Sequence, residues 1–105
     1  MLEFIRKVFG LGAKVNFAEL VENGALIIDV RSKGEFSNGH IKGAINIPVE
    51  QLGNSLNRLK DKTRHIITCC ESGARSASAK HILISNGYLH VYNGGGWHRL
   101  NQKIR

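Results

Sequence analysis

The chain has 105 residues, 42% of them hydrophobic and 22% charged, with a single proline; this suits one domain with a real core and excludes two domains or a disordered chain. Fifteen Lys and Arg against 8 Asp and Glu give a formal net charge of +7, but the basic residues are scattered without aromatic interleaving or a helical stripe. Small anionic ligands or acidic partners are therefore expected, and nucleic acid is not.

Residues Met1 to Gly10 mix apolar and charged positions too finely for a signal peptide, and nothing later is long enough to span a membrane, so no membrane partner is expected. Leu2, Ile5, Val8 and Phe9 would share one face of a short helix. Residues 1–12 are read as an N-terminal extension packing on a domain of residues 13–105. A short extended piece around Lys14 and Val15 leads to Asn16, which with Glu19 marks a helix start, and Asn23-Gly24 marks its end. Ala25 to Val30 is a continuous apolar run between turn residues, the pattern of a central parallel strand.

Ser32 and Glu35 form a second capping box, predicting a short helix to about Asn38-Gly39. Ala44 to Ile47 is the next strand, stopped by Pro48. Leu52, Leu56 and Leu59 recur with helical spacing and predict one helical face against the core. A polar turn over Asp61 to Arg64 precedes a third strand that begins at His65. From Ser76 the pattern is helical again, with Ala79, Ile82 and Leu83 inward and Gly87 as the stop. His90 to Tyr92 is a last strand, Gly94 to Gly96 a flexible turn, and Trp97 with Leu100 anchors a final short helix. Strands alternating with helices predict a parallel sheet covered on both faces, with its site beyond the carboxyl ends of the strands.

The stretch from His65 to Ser76 passes from an apolar strand through small polar residues into a helix, and Cys70 falls at the turn. Loop amides and the unpaired N–H groups opening the helix would converge there, stabilising a thiolate with help from the Arg75 guanidinium. Cys70 is therefore the candidate nucleophile. Two adjacent cysteines cannot build a disulfide framework and lack zinc-site spacing, so free thiols in a reducing compartment and a cytoplasmic location are expected. His65, His81, His90 and His98 are scattered and read as surface or packing residues. Neither a metal nor an organic cofactor is expected.

Taken together, Ile28-Asp29-Val30-Arg31, Glu35-Phe36, Gly39 to Pro48, the Cys70 to Ser76 loop and Gly94-Gly95-Gly96-Trp97 resemble a single-domain rhodanese. The resemblance spans nearly everything from Val15 to Leu100. It implies an α/β domain with a five-stranded, mainly parallel sheet and helices on both faces. It further implies a sulfurtransferase in which Cys70 takes a sulfane sulfur from thiosulfate or a persulfide and passes it, as a Cys70 persulfide, to a thiophilic acceptor. That acceptor would be a thiol, a cyanide-like nucleophile or a sulfur-accepting protein such as a thioredoxin-like one. The resemblance makes the backbone amides of Glu71, Ser72, Gly73, Ala74 and Arg75 the substrate cradle, with Arg75 orienting it or binding the anion. Asp29, Arg31, Glu35 and His40 would serve mostly as scaffold at the mouth, and the domain is expected to act as a monomer.

Glu71 departs from thiosulfate users that resemble this chain, which often carry a cation in that place. Its charge would repel thiosulfate and favour a protein or low-molecular-weight persulfide donor. Two rivals remain. Related phosphatases and arsenate reductases have five residues between cysteine and arginine; this loop has four counted from Cys70 and five counted from Cys69. Gly73, three residues after Cys70, matches the rhodanese register, leaving Cys69 as a buried strand residue or a resolving thiol. The other rival is a non-catalytic binding module, whose usual sign is a missing cysteine.

Overall fold

The computed structural model describes residues 14–105; the helix expected over the first residues lies outside them. Four strands pair in parallel in the order β2-β1-β3-β4, where β1 is Leu26–Asp29, β2 Ile45–Asn46, β3 Ile66–Cys70 and β4 Val91–Gly96. Parallel strands need crossovers, and helices supply most of them: α1 (Phe17–Glu22), α2 (Lys33–Ser37), α3 (Val49–Leu52), α4 (Ala74–Ser85) and α5 (Trp97–Ile104). The resemblance implies five strands. The described residues supply four, and Lys14 to Asn16 joins none of them.

Side-chain alternation along the strands divides the core in two. Ile28, Val30, Ile66 and Cys70 face one cluster with Leu52, Leu59, Ala79, Leu83 and Tyr88. Ile27, Ile67 and Cys69 face the other, with Ile41 and Leu100, against which Phe17, Leu20 and Trp97 pack.

The capping residues act as the sequence predicts. Asn16 Oδ1 accepts from the Glu19 N–H at 3.0 Å, while Ser32 and Glu35 complete a reciprocal capping box. Two expectations fail. Leu52, Leu56 and Leu59 do turn toward the core, but Gly53-Asn54-Ser55 ends α3 and the last two leucines belong to a 3-10 turn over Leu56–Arg58 and its exit. Gly94 to Gly96 is not a flexible turn but the end of β4. Thr68 pairs with Asn93 and Cys70 with Gly96, so β4 carries one extra residue there, a bulge. A Cβ on Gly94 would lie 2.8 Å from Ile67 Cγ2, Leu100 Cδ2 and the Thr68 carbonyl oxygen, and one on Gly96 2.8 Å from the Glu71 carbonyl oxygen. These glycines permit close approach rather than motion.

Candidate active site

β3 carries Cys70 to the carboxyl end of a central strand, where Glu71, Ser72 and Gly73 turn the chain into α4. Gly73 makes the turn at φ +111°, a left-handed conformation that disfavours any side chain. The turn folds the chain back over the sulfur. Cys70 Sγ accepts from the Gly73 N–H at 3.0 Å and from the Ser76 N–H at 3.3 Å. Burial alone would push this thiol up; the Ser76 amide and hydroxyl and the Gly73 and Ser72 amides outweigh it, and the thiol sits below its ordinary value.

Of the five cradle residues expected, Gly73 donates to the sulfur directly and Ser72 contributes through its amide. Ala74 opens α4, and Glu71 is exposed beside the loop. Ser76, beyond the expected five, supplies an amide and is fully buried. Its Oγ donates toward the Gly73 carbonyl at 3.0 Å and Asn93 Oδ1 at 2.5 Å, while Thr68 Oγ1 donates to its carbonyl at 2.9 Å. Asn93 had no motif to mark it. An Asn just before a glycine run is the available signal, since its side chain readily accepts from the backbone two residues on, here the Gly95 N–H at 2.9 Å.

Arg75 does not point a free charge at the sulfur. Its guanidinium makes a two-pronged pair with Glu35, at 2.7 Å and 3.0 Å, tying α4 to α2. Arg75, and then the Ser32 amide, hold the Glu35 carboxyl at about 2. The pair still couples to the site, because the charge of Cys70 is among those that keep Arg75 protonated, after Glu35.

Behind the cradle, Arg31 and Asp29 form a buried ion pair with a 2.7 Å contact. The Arg31 guanidinium also donates to the carbonyls of Glu35 at 3.3 Å and Gly39 at 2.7 Å, and lies 4.6 Å over the Trp97 ring. Removing either partner would strand a buried charge; through the Glu35 and Gly39 carbonyls, Arg31 ties α2 and its exit to the end of β1. His40 stacks on Phe36 and is exposed.

Cys69, one residue earlier, faces the opposite way into the core at 0% exposure. Burial, then the Asp29 carboxylate, push its thiol up to about 12. Outside the cradle, Glu71, Ser72, Gly96, His98 and Arg99 line an open groove of about 300 Å³. Among the described residues no group of three or more His, Cys, Asp or Glu is placed to hold a metal, and no helix is long and apolar enough to cross a membrane.

A parallel α/β sheet, four-stranded among the described residues, with a cysteine at a strand's carboxyl end whose sulfur accepts from two backbone amides, marks a cysteine-loop domain. Within it, residues 15–102 match the family model of the rhodanese-like domain, and the chain belongs to that family. The thiosulfate sulfurtransferase PspE of Escherichia coli is 39% identical over 70 residues, covering 66% of this chain and 67% of that protein. The thiosulfate sulfurtransferase GlpE of Shewanella oneidensis is 34% identical over 79 residues, covering 71% of this chain and 77% of that one. Among solved structures, a rhodanese with anions from E. coli superposes with a TM-score of 0.67 at 36% identity, covering 71% of this chain and 89% of its own.

Proposed function

We propose that this protein is a sulfurtransferase that carries a sulfane sulfur on Cys70 as a persulfide between an anionic donor and a thiophilic acceptor. The observation that carries the reading is the pair of N–H groups, from Gly73 and Ser76, aimed at the Cys70 sulfur. Donors preset on a sulfur stabilise it as a thiolate nucleophile at no reorganisation cost. In the first half-reaction the thiolate attacks the outer sulfur of the donor. The donor's sulfur–sulfur bond breaks, and its electron pair leaves with sulfite from thiosulfate or with a thiolate from a persulfide. In the second, a thiol, a cyanide-like nucleophile or a sulfur-accepting protein of thioredoxin type takes the outer sulfur and returns Cys70 as thiolate. Neither half needs a metal or organic cofactor.

Glu71 follows Cys70 directly and is exposed on the groove beside the loop, so its carboxylate opposes dianionic thiosulfate more than a singly charged persulfide. A protein or low-molecular-weight persulfide is therefore the donor this reading favours. The free Cys69 and Cys70 fit a reducing compartment such as the cytoplasm. A phosphatase or arsenate reductase with Cys69 as nucleophile is disfavoured, because that thiol faces the apolar cluster of Ile27, Ile67 and Leu100 beside the Asp29 carboxylate and is held neutral. A binding module has no use for the amide-seated Cys70.

The test is intact and peptide mass spectrometry after incubation with thiosulfate or glutathione persulfide, comparing the wild type with Cys69→Ser and Cys70→Ser. One added sulfur on Cys70, lost only in Cys70→Ser together with a fall in transfer of at least about 1000-fold, is the expected result. Phosphate or arsenate turnover lost in Cys69→Ser, with no sulfur on either cysteine, would overturn it.

A further inference from the structure

The two guanidinium groups built into the site are already neutralised. Among the described residues the ion pairs are Arg31 with Asp29 and Arg75 with Glu35, so neither arginine is free to receive an anionic donor. The cation open to solvent beside the Cys70 loop comes from α5 instead. Gly96 pairs with Cys70, and α5 starts at the next residue. A Cβ on Gly96 would lie 2.8 Å from the Glu71 carbonyl oxygen, so the end of β4 runs directly against the loop that follows the nucleophile. Helical spacing then sets the direction of the first turn of α5. Trp97 packs into the cluster of Ile27 and Ile41 and Leu100 is fully buried, which leaves His98 and Arg99 exposed between them. With Glu71, Ser72 and Gly96 these two line the groove of about 300 Å³, the size of a small-ligand site. Arg99 belongs to neither ion pair.

We propose that Arg99 is a specificity-determining residue that receives, in this groove, the carboxylate of a low-molecular-weight persulfide built on an amino acid or short peptide. The proposal rests on the sulfurtransferase reading and narrows its donor class. Thiosulfate carries both charges on and around the bond that breaks, beside Glu71. A donor with an organic body separates its charge from its reacting sulfur. The sulfur can then meet Cys70 while the carboxylate lies along the groove, where a guanidinium binds it with two parallel hydrogen bonds. The Cys70 thiolate attacks the outer sulfur and the donor's sulfur–sulfur bond breaks. Cys70 keeps that sulfur with its proton, and the body leaves as a thiolate with its carboxylate still on Arg99. Because Arg99 holds the donor equally before and during the transfer, its contribution falls on KM rather than on kcat.

The experiment is single-turnover sulfur loading of Cys70, followed by mass spectrometry against donor concentration, with glutathione persulfide and with the persulfide of glutathione diethyl ester, whose carboxylates are capped. The wild type should half-saturate at about a tenfold lower concentration of the free acid than of the diester. Arg99→Gln should erase most of that preference by raising the half-saturating concentration of the free acid, with its limiting rate changed less than about twofold, and Arg99→Lys should restore part of it. No preference in the wild type, a preference kept in Arg99→Gln, or a loss confined to the limiting rate would overturn the proposal. Loading of Cys70 by neither donor would sink the sulfurtransferase reading instead. The groove is then tested without transfer: S-methylglutathione should protect Cys70 from alkylation by neutral iodoacetamide, and Arg99→Gln should need about tenfold more of it. Equal protection in both proteins, or none in either, would also overturn the proposal.

Discussion

Cys69 and Cys70 are neighbours in one strand, both almost fully buried, and the fold gives them opposite chemistry. Cys69 faces the cluster of Ile27, Ile67 and Leu100, meets the negative end of Asp29, and is held neutral. Cys70 faces the other way, under a loop whose amides close on its sulfur, and its thiol is lowered despite burial. Burial therefore does not decide a cysteine's reactivity. Whether N–H groups or apolar and anionic groups meet the sulfur decides it, because only oriented donors replace the water that burial removes.

The contrast makes opposite predictions for alkaline stability. Cys69 has its folded value raised to about 12 from an ordinary 9.0, so the native state binds the extra proton between those limits. Its contribution is fully present below pH 9 and lost as pH rises toward 12, on the order of 3–4 kcal/mol. Cys70, lowered, contributes stability that is present above its ordinary value and lost as pH falls through its folded one. Urea unfolding from pH 8 to 11 should show a downward slope that flattens in Cys69→Ala; an unchanged slope would refute the assignment.

Glycines from the same bulge sharpen the comparison, because one backs the Cys69 side and the other the Cys70 side. Gly94→Ala drives a methyl into Ile67, Leu100 and the Thr68 carbonyl, and should cost about 2–3 kcal/mol in urea unfolding. Gly96→Ala presses on the Glu71 carbonyl next to the sulfur. It should lower sulfur transfer about tenfold with a smaller loss of stability, since a misplaced cradle costs rate first. If Gly96→Ala unfolds the protein as readily as Gly94→Ala, the two sides are not separable in this way.

The smallest effect is expected at the rim. Glu71→Arg should raise thiosulfate turnover a few-fold, roughly the worth of one exposed charge, while leaving persulfide turnover nearly unchanged. Steady-state rates with both donors check it, and equal gains for both would mean that Glu71 does not select between them.

Local signals were legible wherever a residue's job is done within a few positions of itself. Asn16 and Ser32 cap the helices the sequence predicts, and Gly73 sits where the turn after Cys70 needs a left-handed residue. Leu52, Leu56 and Leu59 showed their inward face by spacing, but spacing does not report that Gly53-Asn54-Ser55 interrupts the helix between them. The triple glycine reads as a flexible turn because its crowding comes from Ile67, Leu100 and Glu71, none of them adjacent in the chain. Arg75 looked like a free cation because its partner, Glu35, is 40 residues away.

The sequence by itself determined the family and the parallel α/β plan, and it pointed to Cys70 before Cys69, because capping patterns, apolar runs and loop spacing are written in consecutive residues. Tertiary structure alone decided that Ser76 completes the cradle, that Asn93 holds its hydroxyl, and that Glu35 takes the charge of Arg75. Those contacts join strand, loop and helix across 6 to 40 positions. A hydrogen bond depends on angstrom-scale distance and direction, which only the packed fold supplies.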